Sequence, residues 1–210
     1  MRSLSTIVSI LAHPLLVLTY MLIILMSINP FLFGYRNLES GFNLILIVFF
    51  STFFIPAVAV LLMKMLGLVD DVTLTAKQQR TGPYIITGVF YLWMFRTLVS
   101  NPNIPDAFKI FILGAVISLF LAFVINIFSK ISMHTTGMGG LIGMLLICLF
   151  YYQFPNFWLN IPGAENFQLD TRYLLMGVLV LSGLVGTSRL FLKAHSTDQV
   201  FGGYFIGLIG

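Results

Sequence analysis

Long uncharged runs constrain this chain more than any other feature. The hydrocarbon core of a bilayer takes roughly 20 apolar residues of helix to cross, and backbone groups there find no water, so such runs are helical. They recur along the sequence: roughly Thr6 to Ile28, Phe42 to Met63, Tyr84 to Val99, Ala107 to Phe128, a run ending near Tyr152, and Tyr173 to Thr187. A shorter run, Val200 to Gly210, comes last. The pattern predicts an all-α integral membrane protein, a polytopic helical bundle of about six to seven spans, integral to the cell (inner) membrane. The whole chain, 1–210, is read as a single transmembrane domain, because the length leaves no room for a second, soluble one.

Charge is correspondingly scarce, 9% of residues against about 25% in an average soluble domain. The net charge of +4 is scattered rather than gathered in a basic run, which argues against nucleic acid as a partner. Cys148 is the only cysteine, so an intrachain disulfide and a metal–cysteine cluster are both excluded. No grouping of Cys, His and carboxylates has metal-ligand spacing, and no metal or other cofactor is expected. The N-terminal run carries Arg2 and is then uncharged as far as Tyr35. It exceeds a signal-peptide core and is followed by no small-x-small cleavage site, so it reads as a retained span.

Against this background three polar stretches stand out. The last, Ser188 to Gln199, holds Arg189, Lys193 and His195 between two apolar runs. Cations at membrane depth are costly, and this alone makes them functional candidates. Ser196 followed by Gln199 has the spacing of a capping box, which puts His195 just ahead of a helix N-terminus, where free N–H groups favour an anion. Arg189 offers a planar fork to phosphate oxygens and Lys193 a point charge. The middle stretch, Ser129 to Gly140, carries Lys130 and His134; the first, Gly67 to Pro83, carries Lys77 and Arg80, and Pro83 suits a first helical turn.

Two predicted helices separate each stretch from the next, and an even number of crossings returns the chain to the same side. All three therefore share one face, opposite the loops Asn29–Gly41, Ser100–Asp106 and Gln153–Arg172. The last of these, with Tyr151 beside it, carries the interface-favouring aromatics Phe157 and Trp158. The shared face collects Lys77, Arg80, Lys130, His134, Arg189, Lys193 and His195 against only Asp70, Asp71 and Asp198, which reads as an anion site. The plainer reading, cations meeting lipid headgroups, accounts for Lys and Arg but not for the histidines. His13, beside the kink-forming Pro14, is taken as a polar group satisfied inside the bundle in preference to a catalytic one. The Gly137–Gly140 segment has two even readings, a backbone nest for anions or a surface for close helix packing.

In order and spacing these residues resemble the type 2 phosphatidic acid phosphatase superfamily, membrane lipid phosphatases related to vanadium haloperoxidases. Its three motifs are K-x6-R-P, P-S-G-H and S-R-x5-H-x3-D. Ser188-Arg189, five residues and His195 match the third in spacing. Ser132-Met133-His134 stands where the second would be, and Lys77-x2-Arg80-x2-Pro83 is a shortened form of the first. Gln199 occupies the position of the final Asp, with Asp198 one residue early. The run from His195 to Gly203 is similar to a divergent bacterial branch of the superfamily.

The resemblance implies a phosphatidic acid phosphatase-like bundle hydrolysing a lipid phosphate or polyprenyl (di)phosphate through a phosphohistidine, without metal. His195 is then the nucleophile and His134 the general acid and base. Asp198 is the candidate orienting carboxylate, with Gln199 its neutral alternative. Lys77, Arg80, Lys130, Ser188 and Arg189 are the phosphate-binding candidates. A catalytically inactive relative that binds lipid headgroups or scaffolds partners is the second reading, suggested by the displaced Asp. A small transporter is the third, opposed by the absence of mid-span charge and of an inverted repeat. On sidedness, seven Lys and Arg fall on the polar face and four opposite, which literally puts that face in the cytoplasm, whereas the superfamily faces its site outward.

Overall fold

The computed structural model describes residues 2–74, 76–159 and 167–210. The chain begins with α1, Arg2–Leu11, which stops at His13. Proline lacks an N–H and pushes its predecessor out of the helical region. His13 is accordingly extended (φ −62°, ψ 131°), and the predicted kink at Pro14 is a full break. A 3₁₀ turn, Pro14–Leu16, restarts the chain into α2, Val17–Ile28. The same device ends α2. Asn29 is extended, and Pro30 opens a second 3₁₀ turn, Pro30–Phe33.

The next segment runs as α3, Phe42–Phe49, a π-helical turn, Phe50–Phe54, and α4, Ile55–Met65. Pro56 cannot bond the carbonyl one turn back and would press against it; the wider turn makes room. After the first polar stretch come α5, Thr81–Val99, and α6, Asp106–Phe128, packed as an antiparallel pair. Then follow α7, Met133–Phe150, two short strands, α8, Thr171–Phe191, and α9, Thr197–Ile209.

Among the described residues, five segments are long and apolar enough to cross a bilayer: Arg2–Ile28, Glu39–Met65, Asp106–Phe128, Met133–Phe150 and Thr171–Phe191. The protein is thus a helical membrane protein. The expected count of about six to seven spans also drew on the third and last runs. Of these, α5 is long enough but less apolar, and α9, at 13 residues, is about 20 Å long, short of a full crossing. Large side chains such as Phe120, Phe128, Phe150, Val180 and Phe201 are exposed on the outside, as a lipid-facing surface requires. The core forms where α2, α6 and α7 meet, around Met21, Leu22, Leu25, Phe108, Ile112, Leu145 and Cys148, all fully buried.

The all-α expectation needs one correction. The loop Gln153–Arg172 contains an antiparallel pair, β1, Asn156–Leu159, and β2, Phe167–Asp170, with Phe157 opposite Leu169. Alternation turns Phe157 inward, where it is buried against α2, while Trp158 faces outward. Phe157 is a core residue, not an interface aromatic. Asp170 caps α8 by accepting the Arg172 N–H at 2.8 Å.

The closest helix pairing is α7 with α9, made possible by glycine. A Cβ on Gly207 would overlap the Thr136 carbonyl, one on Gly139 the Tyr204 carbonyl, and one on Gly203 the Thr135 hydroxyl and Ser132 carbonyl. Of the two readings of Gly137–Gly140, packing therefore holds. These glycines lie inside α7, where their N–H groups serve the helix. The polar ends interlock: Ser132 N–H donates to the Gln199 carbonyl at 3.2 Å, and Thr135 Oγ1 donates to the Val200 carbonyl at 3.0 Å. Replacing Gly207 by Val should separate α7 from α9 and destabilise the protein by about 1–3 kcal/mol or more. Thermal unfolding in detergent reads this as a lowered midpoint, with the lipid-facing Phe201→Ala nearly neutral beside it.

Candidate functional site

The three polar stretches meet at one end of the bundle, as the crossing count requires. The first is tied to the second. Lys77 Nζ donates to the Ile127 and Phe128 carbonyls at 3.0 and 3.3 Å, Asn126 Nδ2 to the Lys77 carbonyl at 2.8 Å, and Arg80 Nη1 to the Ile131 carbonyl at 3.0 Å. The second is tied to the third through Ser132, Thr135, Gln199 and Val200, as above.

His195 is the centre of this arrangement. It is buried, one residue ahead of the N-cap of α9, and Ser196 and Gln199 form the expected capping box. The Gln199 Oε1 faces both His195 Nδ1, at 2.9 Å, and the Ser196 N–H, at 3.4 Å. An oxygen facing two donors fixes the His195 proton on Nδ1 and leaves the lone pair on Nε2. Burial pushes the imidazole down to about 4; the Gln199 hydrogen bond opposes this, and Arg80, Arg189 and Lys130 reinforce it. His195 is thus a neutral base surrounded by cations.

Asp198 is the candidate that the geometry moves. It is exposed in the first turn of α9 and makes no bond to the imidazole. The reason is the capping box: Gln199, at the third position of α9, folds its side chain back to the Ser196 N–H and so brings Oε1 to the His195 ring, whereas Asp198 is exposed one position earlier. Gln199 is the orienting group, and Asp198 offers only a negative charge at a helix N-terminus.

Arg189 does not lie beyond α8 but in its last turn, with Ser188 buried beside it. Its Nη1 donates to Ser9 Oγ at 3.3 Å, and its Nε is buried without a partner. Arg80, held by the Leu74 and Ile131 carbonyls, is within electrostatic reach of Arg189. Burial lowers its pKa from the ordinary value, although a guanidinium stays charged. Among the described residues the ion pairs are Lys109–Asp106 and Arg172–Asp170, neither of them here. Two guanidiniums therefore face one region without a carboxylate. Lys130 acts on His195, whereas Lys77 is committed to capping α6. Lys193 is exposed in a left-handed turn (φ 53°) that carries the chain from Arg189 to His195.

His134 begins α7, N-capped by Ser132. Its Nε2 lies 3.0 Å from the Ser9 carbonyl, and it is within electrostatic reach of Arg189, His13 and His195. A carbonyl only accepts, so Nε2 carries the proton and Nδ1 is free. The first helix, assigned no role from the sequence, thus contributes Ser9 to both His134 and Arg189. His13 is there too, its ring edge-to-face with that of His134 at 5.8 Å. The only sequence signal for either was the kink expected at His13-Pro14, on the polar side of the membrane.

The fold and site define a polytopic helical membrane protein with a cationic, histidine-bearing site at one end of its bundle. Compared with protein-family models, curated proteins and solved structures, the chain matches none.

The depressed His195 pKa sets a pH dependence. Unfolded, the ring takes up a proton near 6.5; folded, only near 4. Between those values the unfolded state binds more protons, so this contribution to stability is complete above about pH 6.5 and is lost as pH falls toward 4. The His195 ring signals in NMR should stay flat from neutral pH through the ordinary histidine range. A His195→Gln variant should lose less stability than wild type on acidification, as read by thermal melting across that window.

Proposed function

We propose that the protein is a membrane phosphatase of the type 2 phosphatidic acid phosphatase kind, hydrolysing a lipid phosphate or polyprenyl (di)phosphate. The observation that carries this reading is a neutral imidazole, with Nε2 free, within electrostatic reach of two half-buried guanidiniums that have no carboxylate partner among the described residues. Phosphoryl transfer chiefly needs neutralisation of the equatorial oxygens and in-line placement of the nucleophile. Arg80 and Arg189 supply the first, helped by Lys130 and the N-terminus of α9.

His195 Nε2 attacks phosphorus, and the bond from phosphorus to the leaving oxygen breaks. His134 Nδ1, free in the resting site, takes up the proton that the phosphate brings as its monoanion and passes it to the leaving oxygen. Neutral His134 then takes a proton from water, whose oxygen attacks the phosphohistidine and restores His195. Gln199 holds the His195 ring through Nδ1 but adds no charge to stabilise an imidazolium. A lipid substrate suits a site at the end of apolar helices, because its tail stays in hydrocarbon while its headgroup meets the cations.

The second reading, a phosphate-headgroup binder without turnover, is favoured by that same Gln199. Phosphate release from a panel of lipid phosphates and polyprenyl diphosphates in detergent separates the two. His195→Ala should abolish release, and His134→Ala should reduce it by about 10²–10⁴-fold. Asp198→Asn should cost less than about threefold, because its side chain is exposed and the His195 ring bonds Gln199 instead. Exhaustive chelation should leave turnover unchanged. Binding of inorganic phosphate with no release from any substrate would establish the second reading.

A further inference from the structure

The first helix break raises a question that capping does not answer. His13-Pro14-Leu15 and Asn29-Pro30-Phe31 are built alike. In each an extended residue precedes a proline that opens a 3₁₀ turn, and its side chain accepts the N–H two residues on. Asn29 Oδ1 takes the Phe31 N–H at 3.1 Å, and His13 Nδ1 takes the Leu15 N–H at 3.3 Å. Asparagine is among the best residues for this task, and histidine is not. The imidazole at position 13 therefore has a second purpose, and its surroundings indicate which one. The ring stands between Phe53, in the π-helical turn, and His134, with centroids 5.8 Å away on each side and both contacts edge-to-face. Because Nδ1 accepts from the backbone, the ring cannot turn without giving up that bond.

We infer that His13 is a positioning residue for His134, forming with the Ser9 carbonyl a two-point clamp that holds the His134 ring with Nε2 protonated and Nδ1 free. This rests on the reading of His134 as the proton-transfer group, but the clamp itself is a property of the ring. The Ser9 carbonyl fixes one edge of the imidazole and His13 restricts its rotation from the side. The first helix thereby reaches the chemistry through α7 without touching the anion.

His13→Asn is the informative variant, because it keeps the cap and removes the ring. Imidazole ¹⁵N spectra of the full-length protein in detergent are the first readout. Wild type should show His134 as a single Nε2–H tautomer, and His13→Asn should show it mixed. Phosphate release is the second: kcat should fall about tenfold with KM within twofold, a fraction of what general acid–base catalysis is worth. His13→Phe, which keeps a ring but not the cap, should retain the single tautomer. An unchanged His134 spectrum in His13→Asn, or one equally mixed in both variants, overturns the clamp. Should wild type release no phosphate from any substrate, the enzymatic reading fails while the spectra still decide the clamp.

Discussion

Everything at the polar end of this bundle depends on keeping two half-buried guanidiniums within electrostatic reach of each other with no carboxylate among the described residues paired to either. Such an arrangement is unfavourable unless the protein compensates, and it does so with uncharged oxygens. Arg80 is held by the Leu74 and Ile131 carbonyls, and Arg189 by the Ser9 hydroxyl. Carbonyls and hydroxyls hold an arginine in place without cancelling its charge, so the field stays available for an anion. A carboxylate at any of these positions would fill the site with its own negative charge.

The cost of that arrangement is met by packing elsewhere. Glycines bring α7 and α9 so close that Ser132 and Thr135 bond directly to the backbone of the other helix. This fixes His195 relative to His134. Ser118 Oγ donates to the Ile206 carbonyl at 3.1 Å and ties α6 to the same pair. In a lipid-embedded bundle such bonds and close contacts replace the hydrophobic drive that holds helices together in water. The strained left-handed residues Leu74 and Lys193 both occur in the polar stretches, where the chain has to turn sharply to present Arg80 and His195.

Much of this was legible in the sequence. The apolar runs gave the helices to within a few residues, except that the first is broken at His13-Pro14 and not merely kinked, and the even crossing count brought together stretches more than 100 residues apart. The Ser196–Gln199 spacing gave the start of α9. What escaped has identifiable causes. The capping box decided between Asp198 and Gln199, because only the residue at its third position folds back toward the His195 ring. The hairpin at β1 and β2 was hidden because an aromatic-rich loop carries too few residues for a clear alternation. Lys77 looked like a ligand because a lysine capping a helix and one awaiting an anion have the same letter. Ser9 was invisible because its contribution to His134 is a backbone carbonyl, which any residue would supply.

The site draws on residues far apart in the sequence, since Ser9 and His13 come from α1 and the break after it, and His195 and Gln199 from the start of α9. During synthesis the first helix is made before α9. A nascent chain that has reached the end of α8 therefore holds both arginines and His134 but not yet His195. The pairing of His134 with His195 thus waits until α9 has been made.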